Sequence, residues 1–334
     1  MIRKLLYQTA FIALAVSAII GCKEEDYSVP TAESGLQNDC IRKSVGPAMA
    51  GVDIEFMYAM AIQKSEGKIV SAKVEASIPG APETYLEHRS FHADAEGNDI
   101  GVPVGKPSVT NGVITEVTFN VDTNAATLRY FYRPTADAAD KDVSFTFSAT
   151  SSNGQTVSYK MGPYKIRRME IKPNLSVTNG GQYFISVENM AVYNEAEAAA
   201  IPDKIDLLYV YRAIPGISFN HSFVAPASDP MYRPGINLPA GVNRNTRIQK
   251  AWNVRDIHLG ANVAGSGNNS YVYLDDEDFQ TLNLSAAPNF AINMLAQSGI
   301  WVETADGKYK AYVYVNSINN NGSAVIGIKR YRVQ

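Results

Sequence analysis

Ile300-Trp-Val-Glu-Thr304, Asp306-Gly307 and Tyr309-Lys-Ala-Tyr-Val-Tyr-Val315 follow one another near the C-terminus. Two β-branched and aromatic runs flank a dipeptide that signals a two-residue hairpin loop. With that loop, Ala305 pairs with Lys308, and the register sets Glu303 opposite Lys310, Val302 opposite Ala311 and Trp301 opposite Tyr312. Side-chain alternation then sorts the faces. Ile300, Val302, Ala311 and Val313 make a core face, while Trp301, Glu303, Lys310, Tyr312 and Tyr314 make the other. A third strand, Ser323 to Val333, follows the Asn319-Asn-Asn-Gly322 turn.

The same chemistry extends toward the N-terminus. Val52 to Ile62, Lys68 to Ser77, Val113 to Val121, Ala126 to Tyr132, Val143 to Thr150 and Thr156 to Ile166 are strand-like runs bounded by Gly, Pro and Asn turns. In Val143-Ser-Phe-Thr-Phe-Ser-Ala149, the apolar residues share one face and the hydroxyls the other. Short half-buried strands at this spacing predict an antiparallel Ig-like sandwich over residues 36–168. Arg167-Arg168 and Lys172-Pro173-Asn174 mark a joint, after which a second β-rich domain, 169–334, carries one or two short helices. Asn194 caps the first helix ahead of Glu195 and Glu197, and Pro202 ends it. Ile205 to Arg212, nearly all apolar, reads as a central strand, and the five-proline stretch from Ile214 to Val242 reads as surface wrapping. The fold class is therefore mainly β, with two antiparallel sandwich-like domains.

Composition excludes several functions. The 334 residues are 46% hydrophobic and 19% charged, enough for a large core and too apolar for disorder. Thirty Lys and Arg against 33 Asp and Glu leave a net charge of −3, without the cationic surplus of a nucleic-acid binder. Two cysteines rule out a disulfide-dense scaffold and a four-cysteine zinc site.

The first 21 residues read as an export signal, with Arg3 and Lys4 ahead of the apolar Phe11 to Ile20. The run is too short for a spanning helix, which takes roughly 20 apolar residues. Ile19-Ile-Gly-Cys22 resembles the lipobox of bacterial lipoproteins, which implies cleavage before Cys22 and lipid on its sulfur. Lys23-Glu-Glu-Asp26 resembles the acidic tag that sends Bacteroidetes lipoproteins to the outer face of the outer membrane. Loss of Arg3 and Lys4 takes the charge from −3 to −5. Residues 22–35 then form a lipidated tether. With Cys22 lipidated, Cys40 has no intramolecular partner and is a small buried hydrophobe.

Leu36-Gln-Asn-Asp-Cys-Ile-Arg-Lys-Ser44, Val143-Ser-Phe-Thr-Phe-Ser-Ala-Thr150 and Asp306-Gly-Lys-Tyr-Lys-Ala-Tyr-Val-Tyr-Val-Asn316 together resemble a Bacteroidetes lipoprotein family catalogued as a domain of unknown function. The resemblance runs over the whole mature chain. It implies two β-rich domains at the cell surface and transfers no catalytic or binding residue.

No constellation of catalytic groups stands out. Asp275-Asp-Glu-Asp278 lacks the alternating ligands and glycine of a calcium loop and reads as a helix N-terminus before Phe279. His88, His92, His221 and His258 are scattered, with no His-Glu-x-x-His pattern, and neither a nucleophile elbow nor a phosphate loop is present. The sequence thus predicts no catalytic residue, metal or cofactor. Two aromatic positions invite a ligand. The hairpin face of Trp301, Tyr312 and Tyr314 is a candidate platform for sugar rings, with Glu303 and Lys310 beside it for hydroxyls. Trp252 is the other, among Arg244, Arg247, Lys250 and Arg255, whose cations suit an acidic sugar or a solvated helix face.

The sequence therefore predicts an outer-membrane lipoprotein, anchored through Cys22, that binds an extracellular ligand. A glycan is favoured, with nutrient-uptake proteins as partners. An adhesin or assembly subunit is the first alternative and a glycan-processing enzyme the second.

Overall fold

Val143, Phe145, Phe147 and Ala149 are at most 1% exposed, and every second residue between them is more open, as the alternation requires. The computed structural model describes residues 33–214, 217–260 and 271–333. The leader, Cys22 and the tether through residue 32 lie outside the described residues.

In the first half the strands are β1 (Gln37–Arg42), β2 (Ala48–Ala50), β3 (Ile54–Ala61), β4 (Ile69–Ala76), β5 (Tyr85–Leu86) and β6 (Arg89–Ala93). They continue as β7 (Asp99–Pro103), β8 (Val109–Asn111), β9 (Ile114–Thr118), β10 (Ala125–Tyr132), β11 (Asp142–Ser151) and β12 (Thr156–Thr178). A sheet in the order β1-β3-β10-β5 packs on β12-β11-β4-β9-β8. Phe56 meets Phe145 at 4.8 Å and Phe147 at 5.3 Å between ring centroids, so aromatic rings fill this first core. Cys40 is buried in it as a free thiol, and burial pushes its pKa up to about 12, an inert state.

The second half begins with β13 (Phe184–Ser186), β14 (Ala191–Tyr193), α1 (Glu195–Ala199), β15 (Leu207–Ile214) and β16 (Ile217–Val224). It continues with β17 (Arg247–Ala251), β18 (Arg255–Asp256), β19 (Tyr271–Val272), α2 (Asp276–Thr281) and β20 (Phe290–Met294). It closes with β21 (Gly299–Glu303), β22 (Tyr309–Asn319) and β23 (Ser323–Arg332). The sheet β14-β13-β15-β16-β20 packs on β17-β21-β22-β23, and Leu208, Val210, Phe223, Ile300, Val302, Val313 and Ile326 fill the second core. As read from sequence, β15 is central and Asn194 caps α1 in a reciprocal box with Glu197. Asp275 caps α2 in the same way. The class is mainly β with antiparallel sandwich-like sheets and two short helices, as the sequence predicts. Parallel pairing occurs at β2 with β12 and β18 with β19.

Two stretches differ from expectation. Arg167 to Asn174, read as a joint, continues β12, a strand of 23 residues that pairs with β11 on the first core and β23 on the second. A register shift between Lys172 and Leu175, with Asn174 at φ 58°, takes up Pro173 without ending the strand. Part of the supposed surface wrapping is β16, an inner strand whose His221 and Ser222 are buried among apolar neighbours. A polar residue on both faces hid the pattern.

Candidate functional site

The hairpin register is borne out: Trp301 stands opposite Tyr312, Val302 opposite Ala311 and Glu303 opposite Lys310. The loop itself is wider than two residues. The Gly307 N–H donates to the Thr304 carbonyl at 2.9 Å, and Asp306 Oδ1 accepts from the Thr304 hydroxyl and the Lys308 N–H. Of the pair Asp306-Gly307, only Gly307 has a positive φ, 68°.

The aromatic face is not an open platform. Tyr312 is 0% and Tyr314 2% exposed, and Trp301 is half-buried. Phe279 of α2 meets Trp301 edge-on at 5.4 Å and stacks on Tyr331 at 5.8 Å, while the Tyr312 hydroxyl donates to the Val254 carbonyl at 2.5 Å. Lys310 donates to the Phe279 and Leu282 carbonyls at 2.9 and 2.7 Å, so it holds the end of α2 and is not free for a ligand. Three rings on the second face of a sheet expose more apolar area than a stable surface tolerates. Val254, Leu259, Leu274 and Phe279 of α2 pack with them in a third core that also holds Met169.

The arginines do not gather around Trp252. Arg244 sits between Asp206, 2.8 Å from its Nε, and Asp306, 3.0 Å from an Nη, and bonds the Asp203 carbonyl. Burial raises Asp206 to about 6 against the pull of Arg244. Burial acts upward on Asp306 too, but the Thr304 hydroxyl, the Lys308 N–H and Arg244 hold it near 2. Arg247 donates to the Ala287 carbonyl, and Arg255 lies 5.8 Å from the Tyr271 ring. The stretch is β17 and its exit, not a helix face.

Trp252 is 53% exposed. The Lys250 ammonium lies 4.5 Å from its ring centroid and donates to the Ile292 and Asn293 carbonyls at 2.5 and 3.2 Å. The Asn293 amide oxygen accepts from Asn220 Nδ2 at 3.1 Å. Asn220, Asn253 and Asn293 have φ of 45°, 59° and 54°, a left-handed conformation that asparagine tolerates better than most residues. The register of β16 against β20 shifts at this place, turning the two amides outward at the rim of the second sandwich. An open indole, a cation behind it and a pair of surface amides form one contiguous corner. Sequence reasoning missed Asn220 and Asn293 because they lie 32 and 41 positions from Trp252, with no local motif to join them.

Among the described residues, no group of three His, Cys, Asp or Glu is placed to hold a metal ion, and no helix is long and apolar enough to cross a membrane. A groove of about 590 Å³ crosses the outer face of the first sandwich, floored by Ala59, Ala61 and Ala125 beside Phe91.

The chain matches two family models, each described as a domain of unknown function: DUF4466 over residues 33–166 and DUF8576 over residues 167–333. It is similar to the crystal structure of a DUF4466 family protein from Parabacteroides merdae, with a TM-score of 0.81 and 41% identity over 90% of this chain and 99% of that one. A likeness to the major pilin subunit BcpA of Bacillus cereus has a TM-score of 0.30, 8% identity and coverage of 90% and 67%. One to the Actinomyces fimbrial adhesin FimA has 0.26, 9%, and 90% and 96%. At such scores neither carries an argument. No curated protein matches.

Proposed function

Because this chain belongs to the DUF4466 family, a domain of unknown function, we propose its role from its own residues: a lipoprotein held at the outer membrane by lipid on Cys22, which binds an extracellular glycan at the Trp252 corner without catalysis. The observation that carries this reading is the 53% exposure of Trp252 above Lys250, next to the Asn220–Asn293 amide pair. Sugars present C–H faces that stack on an indole, and their hydroxyls need donors and acceptors together, which two amides supply. Lys250, Asn220 and Asn293 lie within β17, β16 and β20 and Trp252 directly follows β17, so the corner is preorganised for binding. Supply of a bound glycan to a nutrient-uptake system fits an anchored binder.

A glycan array probed with the detergent-solubilised lipoprotein tests this. Retention of a defined glycan class, weakened about tenfold by Trp252→Ala, is expected from loss of one stacking contact. Retention unchanged by Trp252→Ala overturns the site. An array with no retained glycan overturns the ligand and favours the adhesin or assembly alternative.

A further inference from the structure

Lys329 sits in β23 with 0% exposure, and Asp256, also 0% exposed, lies against it from β18. The Lys329 ammonium donates to Asp256 Oδ2 and, at 3.0 Å, to the Leu274 carbonyl, and lies 3.2 Å from His258 Nδ1. Asp256 Oδ1 accepts from the His258 backbone N–H at 2.7 Å, and Oδ2 from the Leu274 N–H at 3.0 Å. Leu259, Leu274, Tyr312 and Tyr314 belong to the buried cluster around this pair. We propose that Lys329 and Asp256 condense to an intramolecular amide that ties β23 to the segment covering the aromatic face. This inference is independent of the glycan reading.

The site supplies each element of the reaction. A buried ion pair is poorly solvated, which favours transfer of the ammonium proton to the carboxylate and leaves a neutral amine beside a neutral acid. Burial lowers the pKa of Lys329, in the same sense. The Nζ lone pair then attacks Asp256 Cγ, forming the N–C bond and a tetrahedral oxyanion on Oδ1, where the His258 N–H already points. His258 Nδ1 takes the second amine proton and returns it to the departing Oδ2 hydroxyl. Burial first, and then the charge of Lys329, bring His258 down to about 4, so the ring is in its basic form. The C–O bond breaks and one water leaves; nothing is oxidised or reduced. In the product, the amide oxygen keeps the His258 N–H and the amide N–H keeps the Leu274 carbonyl, so two buried charges vanish at the cost of the one hydrogen bond that the Leu274 N–H gave to the departing Oδ2.

The test is mass spectrometry of the unfolded, trypsin-digested full chain. The expected result is one branched species joining residues 256–308 to residues 311–330, lighter than their sum by one water, with no cleavage after Lys329. Two separate linear peptides, one ending at Lys329, overturn the proposal and leave an ion pair only. Asp256→Ala should abolish the branched species; if that variant does not fold, the wild-type digest still decides. His258→Phe should lower the cross-linked fraction at a fixed time after synthesis. An undiminished fraction overturns the role given to His258.

Discussion

Trp301 and Tyr312 face each other across the β21–β22 ladder with ring centroids 4.7 Å apart, and the Tyr312 hydroxyl ends on the Val254 carbonyl. Tyr312 is thus an interior residue that joins the sheet to its cover. Tyr312→Phe keeps the ring and leaves the Val254 carbonyl without this donor, which should cost about 1–3 kcal/mol in a denaturant titration. A silent substitution would show that the cover is not seated there.

The first core should respond to loss of a ring. Phe56→Ala removes contacts with Phe145, Phe147, Tyr130 and Tyr164 at once. A loss of about 3–5 kcal/mol is expected from equilibrium unfolding. A value under about 1 kcal/mol would mean the two sheets close over the gap.

Asp206 should leave a signature in the pH dependence of stability. Its pKa is raised from 3.8 to about 6, chiefly by burial. Between those values the folded state holds a proton that the unfolded chain has released, so stability falls as pH rises through this window. Asp306, held near 2, acts oppositely and below it: its contribution is lost as pH falls from 3.8 toward 2. Unfolding midpoints from pH 4 to 7 should therefore slope downward less steeply in Asp206→Asn than in the wild type. An equal slope would assign the effect to other groups.

Anchoring rests on the sequence of the leader. Cys22→Ala should release the protein from the membrane fraction, and mass spectrometry of the wild-type N-terminus should find a mature chain that begins at a lipid-modified Cys22. A mature chain starting elsewhere would remove the anchor. Protease added to intact cells should digest the mature chain if it faces outward, and protection would place it in the periplasm.

What the sequence disclosed was local. Alternation in Val143 to Ala149, the turn at Gly307 and the caps Asn194 and Asp275 each act within a few residues, so pattern alone specified β11, the hairpin register and both helices. What it concealed was long-range. Nothing near Tyr312 announces that Phe279 and Val254 will cover it, and the amides of Asn220 and Asn293 reach the neighbourhood of Trp252 only when β16, β20 and β17 meet. The arginines misled for a related reason: Arg244 follows its carboxylate partners, the buried Asp206 and the hairpin-loop Asp306, and not its sequence neighbours. Pro173, by chemistry a strand breaker, sits at a bulge that β12 tolerates.

The length of β12 has a mechanical consequence. A force that separates the two cores has to act through a strand bonded laterally to β11 on one half and to β23 on the other. Parting the cores then means breaking backbone hydrogen bonds along that strand, whose ladder to β23 is interrupted at the bulge between Lys172 and Leu175. The two cores are thus joined by shared sheet backbone and not by a free linker.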